Sequence, residues 1–311
     1  MVDLKEVAEN ILRIAGKHGC SAQVNMIKGD SRDISLRKGE VEQRLTSVAI
    51  STGIRLFKGK KSTIISFSGE DFGAMEDKIK TALESIDFLS EDEYKRLLKP
   101  SEFKGPVPDL ELTDKAYENL DINGVKEALK RIEARALAFS NKIIPSDMAE
   151  FSGSKTDIYQ FTTEGLSKSF FKTSYSFGYT AVVEDKGLKE RDSWSEYKRH
   201  FSDLPGLEEI NRIGEIAAGR ALKRLGGKKI KGGDRKIVFS RRTAEDLLDL
   251  LCDALDGEEI VLKNSFLVDK LGEKLFPDII TVMDDPSIKR YPGSYPFDGE
   301  GVPGRTKAVI E

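Results

Sequence analysis

The sequence predicts an α+β fold, with duplicated helix and antiparallel-sheet layers at the N-terminal side and a mostly-β C-terminal domain. Three observations lead there. Segments of alternating polarity follow one another with only tight turns between them, which suits hairpins and leaves no room for parallel crossovers. Segments of helical period flank those runs instead of separating each strand. The order helix, strands, helix then recurs, with Gly165 answering Gly39, Gly178 answering Gly53, and Asp185-Lys186-Gly187 answering Lys58-Gly59.

Taken in order, Leu4, Val7, Ala8, Ile11, Leu12 and Ile14 keep a helical period up to Gly16–Gly19. Ala22–Lys28 alternates as a strand, a turn is expected at Gly29-Asp30, and Asp33–Arg37 is a second strand before the tight turn Lys38-Gly39. Val41–Leu45 and Val48–Phe57 continue the sheet, and the glycine at Lys58-Gly59 closes a hairpin into Ser62–Phe67. Asp71–Ile86 reads as a helix with Met75, Ile79, Ala82 and Leu83 on one face. A polar connector, 90–110, holds Pro100, Pro106 and Pro108 and should pack in extended form. The second copy has a helix at Val125–Phe139, strands from Asp147 onward and a closing helix at Leu207–Leu225. These halves, about 1–90 and 111–226, make an N-terminal domain of residues 1–230, with helices on one face of paired sheets.

Gly226-Gly227 and Gly232-Gly233 bracket a basic stretch that reads as a linker with solvated lysines. It lacks the lysine–serine pair of a phosphate-binding loop, and its glycines open no helix. The C-terminal domain, 236–311, starts with Lys236–Ser240 as a short buried strand. Thr243 is the expected N-cap of the next helix, with Asp246 in the capping-box position and Gly257 as its stop. Leu247, Leu248, Leu250, Leu251, Ala254 and Leu255 should bury most of this helix. Asp246, Asp249, Asp253 and Asp256 recur at helical spacing, so one edge is a carboxylate stripe. A further strand is expected at Ile279–Met283, and the sequence stops at Lys307–Glu311 within a strand.

A net charge of −3 over 311 residues, with 50 Lys+Arg against 53 Asp+Glu, argues against a nucleic-acid binder. The two cysteines, Cys20 and Cys252, form no metal or disulfide spacing, which suits a reducing cytoplasm. No apolar run reaches the ~20 residues that span a bilayer, and the N-terminal helix is too charged for a signal peptide. A chain of this length buries enough surface to fold without staples.

Several residues invite chemistry. Asp249 and Asp253 at i, i+4 suit a hard cation, although a solvated stripe is the commoner outcome. His18 and His200 have no second histidine nearby and read as capping or surface residues. Cys252 reads as a small core residue. Trp194, Tyr197 and Phe201 read as core before peptide groove, and Asp298 with Glu300 reads as a shaped loop before a catalytic pair.

The run Lys263-Asn264-Ser265-Phe266-Leu267-Val268-Asp269-Lys270-Leu271-Gly272, then Asp284-Asp285-Pro286 and Pro296-Phe297-Asp298-Gly299-Glu300-Gly301-Val302-Pro303, resembles the TldD/PmbA family. It is most similar to the PmbA (TldE) branch, once described as modulators of DNA gyrase, and Lys38-Gly39-Glu40-Val41-Glu42 fits the same family. The resemblance covers essentially the whole chain. Family members continue further, so the chain reads as a C-terminally shortened member with an incomplete last domain.

The resemblance implies a zinc-dependent peptidase of two subunits acting on unfolded peptides. The TldD subunit carries a His-Glu-x-x-x-His helix and a distal cysteine. Imidazoles one helical turn apart grip zinc from one face, and the Glu polarises the attacking water. Placing Leu255-Asp256-Gly257 on the corresponding segment puts Leu248, Asp249 and Asp253 at those three positions, so this chain is expected to hold no catalytic residue and no metal of its own. Zinc is expected in a TldD-like partner, with a homodimer in the partner's absence. Lys263, Ser265, Phe266, Pro296, Phe297, Asp298, Glu300, Gly301 and Pro303 are the candidates for contacting partner or peptide. Two rival readings are a non-enzymatic regulatory module of the gyrase-modulator type and a hydrolase using the carboxylate stripe.

Overall fold

The computed structural model describes residues 3–69, 75–145 and 148–310. Helix α1 (Leu4–Lys17) begins where the Asp3 carboxylate accepts from the Lys5 N–H at 2.9 Å, and His18 caps its far end. Then come β1 (Ser21–Arg37), β2 (Glu40–Lys58), β3 (Lys61–Ser68) and α2 (Met75–Ile86). After an irregular connector the pattern resumes with α3 (Ile122–Phe139), β4 (Ile143–Ile144), β5 (Ala149–Thr162), β6 (Ser167–Asp185), β7 (Leu188–Lys198), α4 (Leu207–Ile210) and α5 (Arg212–Arg224). The first residues of the helix expected at Asp71–Ile86, the strand start expected at Asp147, and Glu311 lie outside the described residues.

The strands form one antiparallel sheet in the order β3-β2-β1-β5-β6, with β7 on the outer side of β6 and β4 also pairing with β6. The halves meet along β1 and β5, whose register runs unbroken from Gln23 opposite Thr162 to Leu36 opposite Ala149. Side chains alternate across a strand, so Ala22, Val24, Met26, Ile34 and Leu36 all fall on one face. That face is covered by helices. The first half packs α1 and α2 around Ile11, Ile54, Leu56 and Ile79; the second packs α3 and α5 around Leu129, Ile132, Phe151, Phe177 and Ala217. Helix α5 crosses α3 so closely that a Cβ on Gly214 would collide with the Ile132 carbonyl. Between the helix pairs lies a polar seam filled by Tyr117. Its hydroxyl donates to Asp30 Oδ1 at 2.6 Å, and the Arg32 guanidinium sits 4.5 Å from its ring centroid. The Glu133 carboxylate, buried on α3, accepts from the N–H groups of Lys38 and Gly39, each at 2.6 Å, and so ties the first hairpin to the second half.

Two expected interruptions are absent. β1 passes straight through Gly29-Asp30 and β2 straight through Thr46-Ser47, because each residue there has ladder partners that hold it extended. The turn at Lys38-Gly39 does form, with φ of 56° and 76°, as a two-residue hairpin requires.

The chain divides into two compact units, 1–226 with 284–307, and 227–283 with 308–311. Segment 284–307, expected within the C-terminal domain, therefore belongs to the first unit. Hydrogen bonds from Gln23, Gln160 and Lys168 hold it there.

The second unit contains α6 (Arg241–Leu255) and α7 (Gly257–Val261). Lys236–Ser240 is not a strand: it has no ladder partner, and Ile237 and Val238 stay exposed. The N-cap of α6 is Ser240, not Thr243 with Asp246; the Ser240 hydroxyl accepts from the Thr243 N–H at 3.3 Å. The expectation that α6 is largely buried also fails. It buries no residue, and Leu247, Leu248 and Leu250 are exposed, because a five-residue helix and a few turns cannot cover leucines spread around a helix. Cys252 is exposed for the same reason, not a core residue. The late strand is β8 (Val282–Asp284), displaced from the expected Ile279–Met283, and it pairs with β9 (Lys307–Ile310). No helix among the described residues is long and apolar enough to cross a membrane.

Candidate functional site

The loop from Tyr295 to Gly304 lies on the open face of the sheet, opposite the helices. Asp298 shapes it. Its Oδ1 accepts from the N–H groups of Glu300 and Val302, both at 2.9 Å, while its own N–H donates to the Val302 carbonyl. Gly301 adopts φ 86°, and its missing side chain lets the loop settle against Leu166; a Cβ would meet Leu166 Cδ2 at 2.7 Å. Phe297 is buried edge-on against Phe170 at 5.1 Å between centroids, and bridges to Pro303. Pro296 is buried, and its carbonyl accepts from the Gly304 N–H.

The strands grip this loop through its carbonyls. Gln23 Nε2 donates to Gly299 O at 2.7 Å, Gln160 Nε2 to Asp298 O at 2.9 Å, and Lys168 Nζ to Gly301 O at 2.7 Å. Lys168 Nζ also donates to Phe103 O, which pins the connector to the same point. Burial pushes the Lys168 ammonium below its ordinary value, and the nearby Asp298 carboxylate opposes that without cancelling it. Glu300 pairs with Arg55 at 3.0 Å. Asp298 and Glu300 both help to hold the loop.

Beside the loop the sheet leaves a hollow of about 360 Å³ lined by Asn25, Ile27, Ile158, Gln160 and Phe170 with Tyr295, Phe297, Asp298 and Gly299 of the loop. Its floor is apolar, and its polar groups include the Asn25 and Gln160 carboxamides beside Asp298 and Tyr295; Gln160 Oε1 is buried without a hydrogen-bond partner among the described residues. An apolar floor beside amide donors and acceptors suits an extended polypeptide. The strand residues Gln23, Asn25, Gln160 and Lys168 were not singled out from sequence. The available signal was polar amides at alternate positions of strands whose other face is apolar.

The remaining predicted residues lie in the second unit. Ser265 Oγ donates to Ala254 O at 2.6 Å and accepts from the Leu267 N–H, so it fastens the turn after α7 onto α6. Lys263 takes φ 60° in that turn, and Phe266 is exposed. On α6, Leu248, Asp249 and Asp253 all point to solvent. Leucine supplies no donor atom, and two exposed carboxylates one turn apart fall short of the three protein ligands of a catalytic zinc; the donor set does not fit that metal. Among the described residues no three His, Cys, Asp or Glu side chains converge. Trp194 and Phe201 pack against the second core, and His200 Nε2 lies 2.7 Å from the Glu111 carbonyl.

Three domain models match in sequence order: PmbA/TldA metallopeptidase domain 1 over residues 22–86, the central domain over 110–225 and the C-terminal domain over 232–311. A metalloprotease of Methanocaldococcus jannaschii is 34% identical over 337 residues, an alignment covering 100% of this chain and 67% of the relative. A metalloprotease PmbA homolog of Haemophilus influenzae is 26% identical over 310 residues, covering 99% of this chain and 67% of the relative. The crystal structure of a Bacteroides thetaiotaomicron protein named for DNA gyrase modulation superposes with a TM-score of 0.88 at 26% identity, over 100% of this chain and 71% of that one. With the family's domains in order along nearly its whole length and the fold of a solved relative, the chain belongs to the PmbA/TldD metallopeptidase family.

Proposed function

We propose that this chain is a PmbA/TldE-like subunit that holds an unfolded peptide while a zinc-bearing TldD-like partner cuts it. What supports the reading is the makeup of α6: Leu248, Asp249 and Asp253, which the resemblance sets against the family's His-Glu-x-x-x-His residues, offer no three-ligand set among the described residues. The contribution of this chain is then to bind and align. Two features support that role. The hollow beside the 295–304 loop combines an apolar floor with an unused amide acceptor. Along β2, residues 40–49 pair only with β1 among the described residues, which leaves an outer edge with Val41, Leu45 and Val48 exposed. Such an edge can add an extended peptide through backbone hydrogen bonds with little demand on sequence.

The test is reconstitution. The chain, a zinc-loaded TldD-like protein and their mixture are each given an unfolded reporter peptide, with co-elution measured in parallel. Cleavage by the mixture well above either component, together with co-elution, is expected. Cleavage by this chain alone after zinc loading, abolished by a chelator, would overturn the reading.

A further inference from the structure

Further along the same open face lies a second hollow, about 470 Å³, with different chemistry. Strand register builds it. Asp33 on β1 stands opposite Ser152 on β5, and Ser35 stands opposite Glu150, which in turn faces Gly178 on β6. The small side chains give depth, Gly178 contributes none at all, and Tyr197 forms a wall. Asp33 accepts from Ser152 Oγ at 2.6 Å and from Ser31 Oγ at 3.1 Å. A carboxylate has about four acceptor sites, so those hydroxyls orient it without exhausting it. Neither Asp33 nor Glu150 has an ion-pair partner among the described residues. Ser35 is 8% exposed, and its Oγ has no hydrogen-bond partner among the described residues.

A hollow with two uncompensated carboxylates and an unused buried hydroxyl favours a ligand bearing positive charge and several N–H donors. An anion would be repelled, and an apolar group would leave the hydroxyl unpaired. The planar guanidinium, with five donors, suits this best, and an ammonium next. The two hollows share one face of β5: Ile158 lines the first and Ser152 the second, six residues apart, or ~20 Å along a strand.

We infer that the Asp33 hollow is a subsite for a basic side chain, arginine above all, of an extended peptide whose apolar residue occupies the hollow beside the 295–304 loop. This rests on the reading that the chain holds unfolded peptide, and it makes the preferred substrate one with an arginine about six positions from a large apolar residue.

The test measures fluorescence anisotropy of labelled unfolded peptides on the full chain, with leucine and arginine six positions apart, against the same peptide carrying the neutral isostere citrulline. The arginine peptide is expected to bind about tenfold more tightly. Asp33→Asn with Glu150→Gln should erase that preference while leaving the citrulline peptide unaffected, and Glu150→Gln alone, on the exposed rim, should reduce it in a chain whose circular dichroism is unchanged. Equal binding of the two peptides, or a preference that survives the double variant, would overturn the subsite. If neither peptide binds, N-acetyl-arginine methylamide titrated by NMR decides. Shifts at Ser35 and Ser152 lost in the double variant would keep the subsite and remove the peptide-holding role; no shifts would remove both.

Discussion

On the covered face of the sheet the strands offer Val24, Met26, Phe151, Phe177 and Val183 to the helices; on the open face the same strands offer Asn25, Asp33, Ser152, Ser176 and Tyr197. Neighbouring residues of one strand thus answer to different demands. The covered side is dictated by burial, and carboxylates there find partners on other elements: Asp192 on β7 meets Arg220 on α5 at 3.0 Å, and Asp30 accepts from Tyr117. The open side has no helix to satisfy. Each half even places a glycine there, Gly53 opposite Asn25 and Gly178 opposite Glu150, which keeps the surface low. Stability is concentrated on one face and recognition is left to the other.

The sharpest way to break this comparison is Phe177→Ala. Phe177 is 1% exposed and its ring centroid lies 4.8 Å from that of Phe151, so a loss of about 3–5 kcal/mol is expected in urea unfolding. If the open-face change Tyr197→Ala cost as much, the division of labour would be wrong.

A smaller effect is expected of Asp192→Asn. Burial pushes the Asp192 carboxyl up, but the Arg220 guanidinium and the Ser193 N–H outweigh it and hold the carboxyl below its ordinary value. A depressed folded value means the pair stabilises fully above the unfolded carboxyl value of about 3.9 and less as pH falls through the folded value. The variant should therefore be about 1 kcal/mol less stable at pH 7, with the gap closing as the pH falls below the unfolded carboxyl value and through the lower folded one. A gap that widened in acid would reverse the assignment.

Least of all is expected from Ser35→Ala. Removing an unpartnered hydroxyl on the open face should leave thermal stability within about 0.5 kcal/mol of the parent, or slightly raise it. A large loss would show that the hydroxyl serves the core.

The α+β class, the tight hairpin turns and the helix–sheet–helix recurrence were legible in the sequence because each rests on local periodicity or a glycine with positive φ, as at Gly39, Gly165 and Gly187. Gly29-Asp30 misled because a turn dipeptide yields to ladders on both sides. Lys236–Ser240 misled in the opposite sense: a β-branched run is no strand without a neighbour. The 295–304 loop was recognisable by its residues, but its seat was not, since register alone brings Gln23, Gln160 and Lys168 beneath it. The Asp33 hollow was invisible for the same reason, as it joins residues more than a hundred positions apart that look like ordinary polar alternation.

The unbroken β1–β5 ladder has a consequence for how the two halves live and die. The two halves share a backbone seam from Gln23 to Leu36, so neither can melt without stripping the other's innermost strand. A nick in the exposed connector between α2 and α3 should leave two fragments that stay together and denature as one.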